Sequence, residues 1–337
     1  MQVKDITLFF DLIFIGGIET CFNDMFYTFK NSKEFNLSLA HIYQYYTQQE
    51  SVIQLSKNAK KVIDIGTSNE LNTDIFVSAT MIFPYDEILN KVKAKHKIGW
   101  LHAIPDKQCT YENIFKYREY YKQIEYWVCV SEEVKKGLKR LLPTAKCEVI
   151  HNTINSERIK TLSKEKVKMK KALLTFVTSA RIGKEKGFDK AIEFIDKIHN
   201  RKINYVWYII GAGVDSKTIQ LIQKAMKKYN IVITGHETNP YKYIVNADYG
   251  LLMSPLESWS NFYDECHILG VPTITLDLPV YHERENPEKM GMLLKPDLSN
   301  LNIDILLFKL REYKAYLRHY EYINEYDKWV SLFRKLN

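Results

Sequence analysis

Two glutamates eight residues apart, Glu257 and Glu265, stand in the stretch Ser254-Pro255-Leu256-Glu257-Ser258-Trp259-Ser260-Asn261-Phe262-Tyr263-Asp264-Glu265. An ionised carboxylate accepts hydrogen bonds from sugar hydroxyls. The stretch leaves an apolar run, Tyr249 to Met253, at a Ser-Pro turn signal, and helix-compatible sequence then runs on to Gly270. A second β-type run follows at Val271 to Leu276. Strand, loop, helix, strand is the unit of an open parallel sheet, and such sheets bind ligands at the carboxyl ends of their strands. Glu257 is therefore expected in the loop and Glu265 about one turn inside the helix. A helix start at Asn261 and Phe262 would offer backbone N–H groups and a positive dipole end to phosphate between the two carboxylates. That arrangement suits a nucleotide sugar, with diphosphate at the helix start, ribose on one side and hexose on the other.

By spacing alone, two solvated carboxylates would look the same. The loop, however, resembles the E-x7-E motif of retaining glycosyltransferases of family 4, which have the two-domain GT-B fold. The usual form of that motif carries Glu-Gly-Phe where this chain has Glu257-Ser258-Trp259, and serine resists backbone angles that glycine allows. The resemblance implies that Glu265 binds ribose and Glu257 the donor hexose. It extends to Arg181 and Lys186, in Ala180-Arg181-Ile182-Gly183-Lys184-Glu185-Lys186-Gly187-Phe188-Asp189 after the run Leu173 to Ser179. Family members direct these cations at the donor diphosphate, where fixed positive charge stabilises the leaving group. Trp100-Leu101-His102 is similar to a Trp-x-His segment whose histidine lies near the reacting carbon and phosphate, a position imidazole suits at neutral pH. Gly16-Gly17 resembles the Gly-Gly loop that opens family members, although a glycine pair equally suits a tight turn. By the same resemblance the exits of later strands, with Gly211, Gly235, His236 and Tyr241, hold the nucleotide base. The likeness covers most of the chain, strongest from Arg181 to Asp277 and weaker before Trp100.

The elements that must position these residues follow from length and pattern. A chain of 337 residues with 46% hydrophobic residues has room for two ordinary cores. Strand candidates lie at Ile6–Ile15, Leu37–His41, Lys61–Ile65, Ile75–Ala79 and His96–Leu101, with helix-like sequence between them. The apolar stretch from Ile6 to Ile18 is broken by Asp11 and too short to span a bilayer, and no clear signal peptide stands at the start. Five scattered cysteines without a C-x-x-C pair suggest reduced thiols in the cytoplasm. The dinucleotide fingerprint G-x-G-x-x-G is missing, which weakens a dehydrogenase reading. No Asp-x-Asp pair ends a strand and no His/Cys cluster has zinc spacing, so no metal and no cofactor beyond the donor are expected. The net charge of +8 fits an anionic ligand, an anionic membrane surface or, last in rank, nucleic acid. Seven Lys or Arg against one Glu between Arg158 and Lys171 read as a solvated linker or a contact with anionic lipid. At the end of the chain Tyr313, Tyr316, Tyr320, Ile323, Tyr326, Val330 and Phe333 recur at helical spacing, a stripe suited to a last helix packing back on the first domain.

These elements give α/β, and the resemblance implies the architecture GT-B, two Rossmann-like domains facing a central cleft. Residues 1–155, completed by a C-terminal helix at 312–337, would bind the acceptor, and residues 156–311 the nucleotide sugar. The expected reaction moves a hexose from a nucleotide sugar, UDP being the commoner nucleotide in this family, to a sugar hydroxyl with retention. A glycan or lipid-linked acceptor in capsule or other cell-surface polysaccharide synthesis fits the basic, aromatic surface. So does a cytoplasmic protein with peripheral contact at the inner face of the membrane. Two other readings are a non-catalytic sugar-nucleotide-binding subunit and a nucleotide-sugar epimerase.

Overall fold

The computed structural model describes residues 3–10, 17–42, 57–68, 70–79, 86–108, 118–213 and 215–336. The chain forms two compact units, Met1–Ile154 with Asn324–Asn337, and Asn155–Ile323.

In the first unit seven strands form one sheet in the order β3-β2-β1-β4-β5-β6-β7. They are β1 (Lys4–Phe10), β2 (Phe35–His41), β3 (Val62–Asp64), β4 (Leu71–Ser78), β5 (Val92–Leu101), β6 (Tyr126–Cys129) and β7 (Cys147–Val149). Every pairing is parallel, for example Ile6 with Leu37 on one side and Ile75 on the other. Parallel strands covered on both faces read as continuous apolar runs, and Ile6, Leu8, Leu39, Ile75, Val77, Ile98 and Val128 are fully buried. Ser131 caps the helix Glu132–Leu141, its hydroxyl accepting from the Val134 amide at 3.2 Å, as a serine at that position should. Cys21, Cys129, Cys147 and Cys266 remain thiols.

The second unit repeats the plan with β8 (Leu174–Ser179), β9 (Tyr205–Ile210), β10 (Ile231–Gly235), β11 (Tyr249–Leu252), β12 (Thr273–Leu276) and β13 (Gly291–Leu294). The order is β10-β9-β8-β11-β12-β13, again parallel throughout. Phe176, Phe194, Trp207, Tyr249, Ile274 and Leu306 sit at its core. Sequence reasoning missed β13, whose four residues are too few to show a period. The order reverses between β8 and β11, and ligands bind outside the carboxyl ends of strands at such a switch point. The exit of β8 carries Arg181 and Lys186, and the exit of β11 carries Glu257, so topology brings them to the same edge.

The C-terminal stripe is not one helix. The helix Ile303–Leu317 belongs to the second unit, where Tyr313 joins the core and Tyr249 donates to the Leu306 carbonyl at 2.7 Å. Tyr320 lies against His267 in the same unit, and Ile323 is 81% exposed. The passage back into the first unit comes at Asn324, not at 312, and the helix Tyr326–Lys335 packs there. Its Trp329 lies 4.9 Å from Trp100, and Phe333 lies 5.6 Å from Phe35, ring centre to ring centre. The apparent single period arose because two short helices, each burying one face in a different core, follow one another almost in phase.

Candidate functional site

Beyond β8 the chain stays extended through Ala180, Arg181 and Ile182 because it is zippered to the exit of β9. The Ala180 amide donates to the Ile210 carbonyl and the Ile182 amide to the Ala212 carbonyl, both at 3.0 Å. Gly211 permits this approach: its φ is +151°, and a Cβ there would stand 2.0 Å from the Ala180 carbonyl oxygen. The sequence reading gave Gly211 to the nucleotide; the structure adds a packing reason for glycine. Arg181 projects outward and its guanidinium grips Glu185 Oε1, from Nε at 3.1 Å and from Nη2 at 2.8 Å. Burial pushes the Glu185 carboxyl up, but the Arg181 hydrogen bonds prevail and hold it below its ordinary value.

A 3-10 turn, Lys184–Lys186, ends in Gly187 with φ +64°, and the helix Phe188–Asn200 begins there. A Cβ on Gly187 would lie 1.8 Å from the Met253 carbonyl oxygen. The turn after β8 thus rests directly on the exit of β11. That contact sets Lys186 Nζ 2.8 Å from Glu257 Oε1, with the lysine side chain 27% and the glutamate side chain 8% exposed.

From Glu257 the loop leads into the helix Asn261–Ile268, every residue of which is buried. Ser258, where the family motif has glycine, is not among the residues with positive φ. The unusual backbone falls instead on Ser260, φ +75° and ψ +89°, at the position before the helix. Serine therefore costs the loop nothing at 258, and the strained residue lies two positions on. The helix start is not capped by the Ser260 side chain. Phe262 turns its ring towards Gly250 in the interior, which leaves its backbone as the part able to meet a ligand. Glu265 accepts from the Tyr241 hydroxyl at 3.3 Å. Tyr241 is 4% exposed, its ring packed inside and its hydroxyl turned to Glu265. His236 is exposed beside Gly235, whose φ is +80° with no atom near the place of a Cβ.

Two residues escaped the sequence reading. Asp264, inside the motif, is fully buried and takes a two-pronged pair from Arg284, with Nε and Nη2 each at 2.9 Å. Nothing in the sequence connects Arg284, twenty residues on in a charged loop, to that motif.

His102 belongs to the first unit and follows β5. Its ring centre is 4.4 Å from that of Trp100, and Nε2 is buried with no hydrogen-bond partner among the described residues. Burial pushes the imidazole down to about 3, so the ring is neutral at pH 7. Gly17 is the first residue of the helix Gly17–Phe29, and Gly16 lies outside the described residues. Of the expected constellation, then, Lys186 and Glu257 are in contact. Glu265 and Tyr241 form a second pair, and Arg181 is turned to Glu185.

Comparison with known proteins bears on the family of the second unit and on the fold of the chain. Residues 159–320, within the second unit, match the family model of glycosyl transferases group 1. The chain is 24% identical over 157 residues to N-acetylgalactosamine-N,N'-diacetylbacillosaminyl-diphospho-undecaprenol 4-alpha-N-acetylgalactosaminyltransferase of Campylobacter jejuni, covering 46% of this chain and 42% of that protein. It is 23% identical over 172 residues to an uncharacterized glycosyltransferase of Methanocaldococcus jannaschii, covering 49% of this chain and 42% of that one. The match therefore spans less than half the length of either relative. Among solved structures, Anabaena HepE in complex with UDP and glucose superposes with a TM-score of 0.69 at 12% identity, covering 93% of this chain and 94% of that one. TarM of S. aureus, in complex with Fondaparinux, alpha-GlcNAc-glycerol and UDP, superposes with a TM-score of 0.72 at 11% identity, covering 94% and 96%. The fold is GT-B.

Proposed function

We propose that this protein is a retaining glycosyltransferase that moves a hexose from a nucleotide sugar, UDP being the nucleotide, to a sugar hydroxyl of a glycan or lipid-linked acceptor. The observation that carries this reading is the meeting of Lys186 and Glu257 at the carboxyl ends of the two switch-point strands. A cation suited to phosphate and a carboxylate suited to sugar hydroxyls stand side by side at that edge.

In the reaction, the acceptor oxygen forms a bond to the anomeric carbon on the face from which the diphosphate leaves. The anomeric carbon–oxygen bond breaks towards the diphosphate, and the acceptor's proton passes to a leaving phosphate oxygen. Lys186 and Arg181 stabilise the charge that builds on the leaving group, with the backbone at Asn261 and Phe262 assisting at the helix start. Both cations exchange their present partners, Glu257 and Glu185, for phosphate as the donor enters. Glu257 holds the hexose hydroxyls and Glu265, steadied by Tyr241, the ribose. Gly211, Gly235 and His236 line the nucleotide end. His102, kept neutral by burial, can give or accept one hydrogen bond to a substrate oxygen.

The lipid-linked acceptor is supported by the printed name of the Campylobacter relative, which specifies a diphospho-undecaprenol acceptor. A UDP donor is supported by the Anabaena neighbour's complex with UDP-glucose. No described helix is long and apolar enough to cross a membrane. We assign contact with anionic lipid to the exposed lysines Lys164, Lys166, Lys168, Lys170 and Lys171. Polysaccharide assembly at the inner face of the membrane is the process these properties fit.

A thermal-shift screen of UDP-, GDP- and dTDP-sugars tests the donor, since a ligand that binds the native state raises stability by mass action. UDP-sugars are expected to raise the transition and Glu257→Gln to weaken the response; no shift with any of them at millimolar concentration sinks the reading. The anomeric proton coupling of the product, read by NMR, decides retention.

A further inference from the structure

We propose that Arg284 is a positioning residue for Glu257, stapling the sugar-binding loop to the helix that carries Glu265; the inference rests on the glycosyl-transfer reading above. Arg284 ends the 3-10 turn Pro279–Glu283 after β12, and its side chain is 5% exposed. Besides its two bonds to Asp264, it donates from Nη2 to the Trp259 carbonyl at 2.8 Å and from Nη1 to the Val280 carbonyl at 3.0 Å. Its guanidinium carbon lies 3.5 Å from the centre of the Trp259 ring and 4.9 Å from that of Tyr263.

One cation therefore holds three points. It fixes the carbonyl two residues beyond Glu257, the carboxylate one residue before Glu265, and the turn after β12. Between the first two sits Ser260, whose positive φ a serine keeps only where its surroundings impose it. The tether on the Trp259 carbonyl supplies that constraint from the Glu257 side. The helix Asn261–Ile268 has further anchors, because it is wholly buried and Glu265 is bonded to Tyr241. Losing the tether thus frees the loop that bears Glu257 and leaves the helix in place. A planar fork can serve a carboxylate and two carbonyls together while stacking on an indole; a lysine ammonium cannot.

A buried pair with a packing role alone can often be replaced by apolar residues of similar volume with the fold intact. That substitution separates the two roles. Arg284→Lys, and the double variant Arg284→Met with Asp264→Leu, are made alone and with Glu257→Gln. Each is assayed for its melting transition, for UDP affinity by calorimetry, and for nucleoside diphosphate release from UDP-glucose, UDP-N-acetylgalactosamine and GDP-mannose. Folded variants are expected to bind UDP within about twofold of the unmodified chain, because Glu265 and the helix remain. Release from the sugar donor is expected to fall about 100-fold, the scale of a misplaced reacting group. With Glu257→Gln already present, the further loss should stay within about twofold. Losses that multiply fully in the two backgrounds, or unchanged release in a folded variant, overturn the assignment. An unmodified chain that binds no UDP and releases none of these nucleotides overturns the glycosyl-transfer reading itself, and this inference with it.

Discussion

Lys186 and Glu257 are 2.8 Å apart, so on the proposed reading donor binding exchanges their partners, the lysine turning to phosphate and the carboxylate to hydroxyls. Lys186→Met should therefore lower turnover by about 100-fold or more, the usual loss of one fixed donor to a leaving group, and more than it weakens binding of UDP. Steady-state kinetics set beside UDP calorimetry check this, and equal loss in both would deny the lysine a role in departure of the diphosphate. Gly187 is the neighbouring case. Alanine there would need left-handed backbone and would put a methyl carbon 1.8 Å from the Met253 carbonyl oxygen. The expected cost is about 2 kcal/mol or more, measured by denaturant unfolding, with loss of the Lys186–Glu257 contact.

At the scale of elements, buried side chains brace the candidate residues. The Tyr241 hydroxyl donates to Glu265 inside a closed region. Tyr241→Phe should cost about 1 kcal/mol in nucleotide affinity, roughly fivefold by calorimetry, and leave turnover at saturation nearly unchanged. The last helix is anchored differently. Glu325 accepts from the His151 amide at 2.7 Å and contacts its Nδ1 at 3.1 Å, beside Lys328 at 2.7 Å. Burial by itself would raise the Glu325 carboxyl, but the bonds from His151 and Lys328 outweigh it and hold the group down to about 2. The folded value lies below the unfolded one, so the carboxylate stabilises the first unit above the unfolded glutamate range. That contribution, on the order of 3 kcal/mol, is lost as pH falls towards 2. Acid melts of the parent should lose this stability between about pH 5 and 2, and Glu325→Gln should flatten that part of the curve; parallel curves would refute the anchor.

Taken whole, the molecule has two separate cores, one of them completed by residues 324–337. Trp329 and Phe333 are fully buried in the first core. Trp329→Ala should cost that unit about 3–5 kcal/mol. Two cores of this kind are expected to melt in two calorimetric steps. The tryptophan variant should lower one step, and a bound UDP-sugar should raise the other, that of residues 155–323. A single step moved by both changes would mean that the units unfold as one.

The sequence was enough to establish an α/β chain of two parallel sheets, because strands buried on both faces are written as apolar runs that need no partner to be recognised. For Glu257, Glu265, Arg181 and Lys186 it supplied residue types and a family resemblance, while local spacing alone did not separate them from solvated charges. Tertiary structure decided what depends on contacts between distant residues: the pairing of Lys186 with Glu257 across a glycine, the closure of Tyr241 onto Glu265, and the hold of Arg284 on Asp264. It also decided where the C-terminal stripe divides, at Asn324. A local period records which face of a helix is apolar but not which core buries it, and a buried cation shows no trace of its distant carboxylate until the chain has folded.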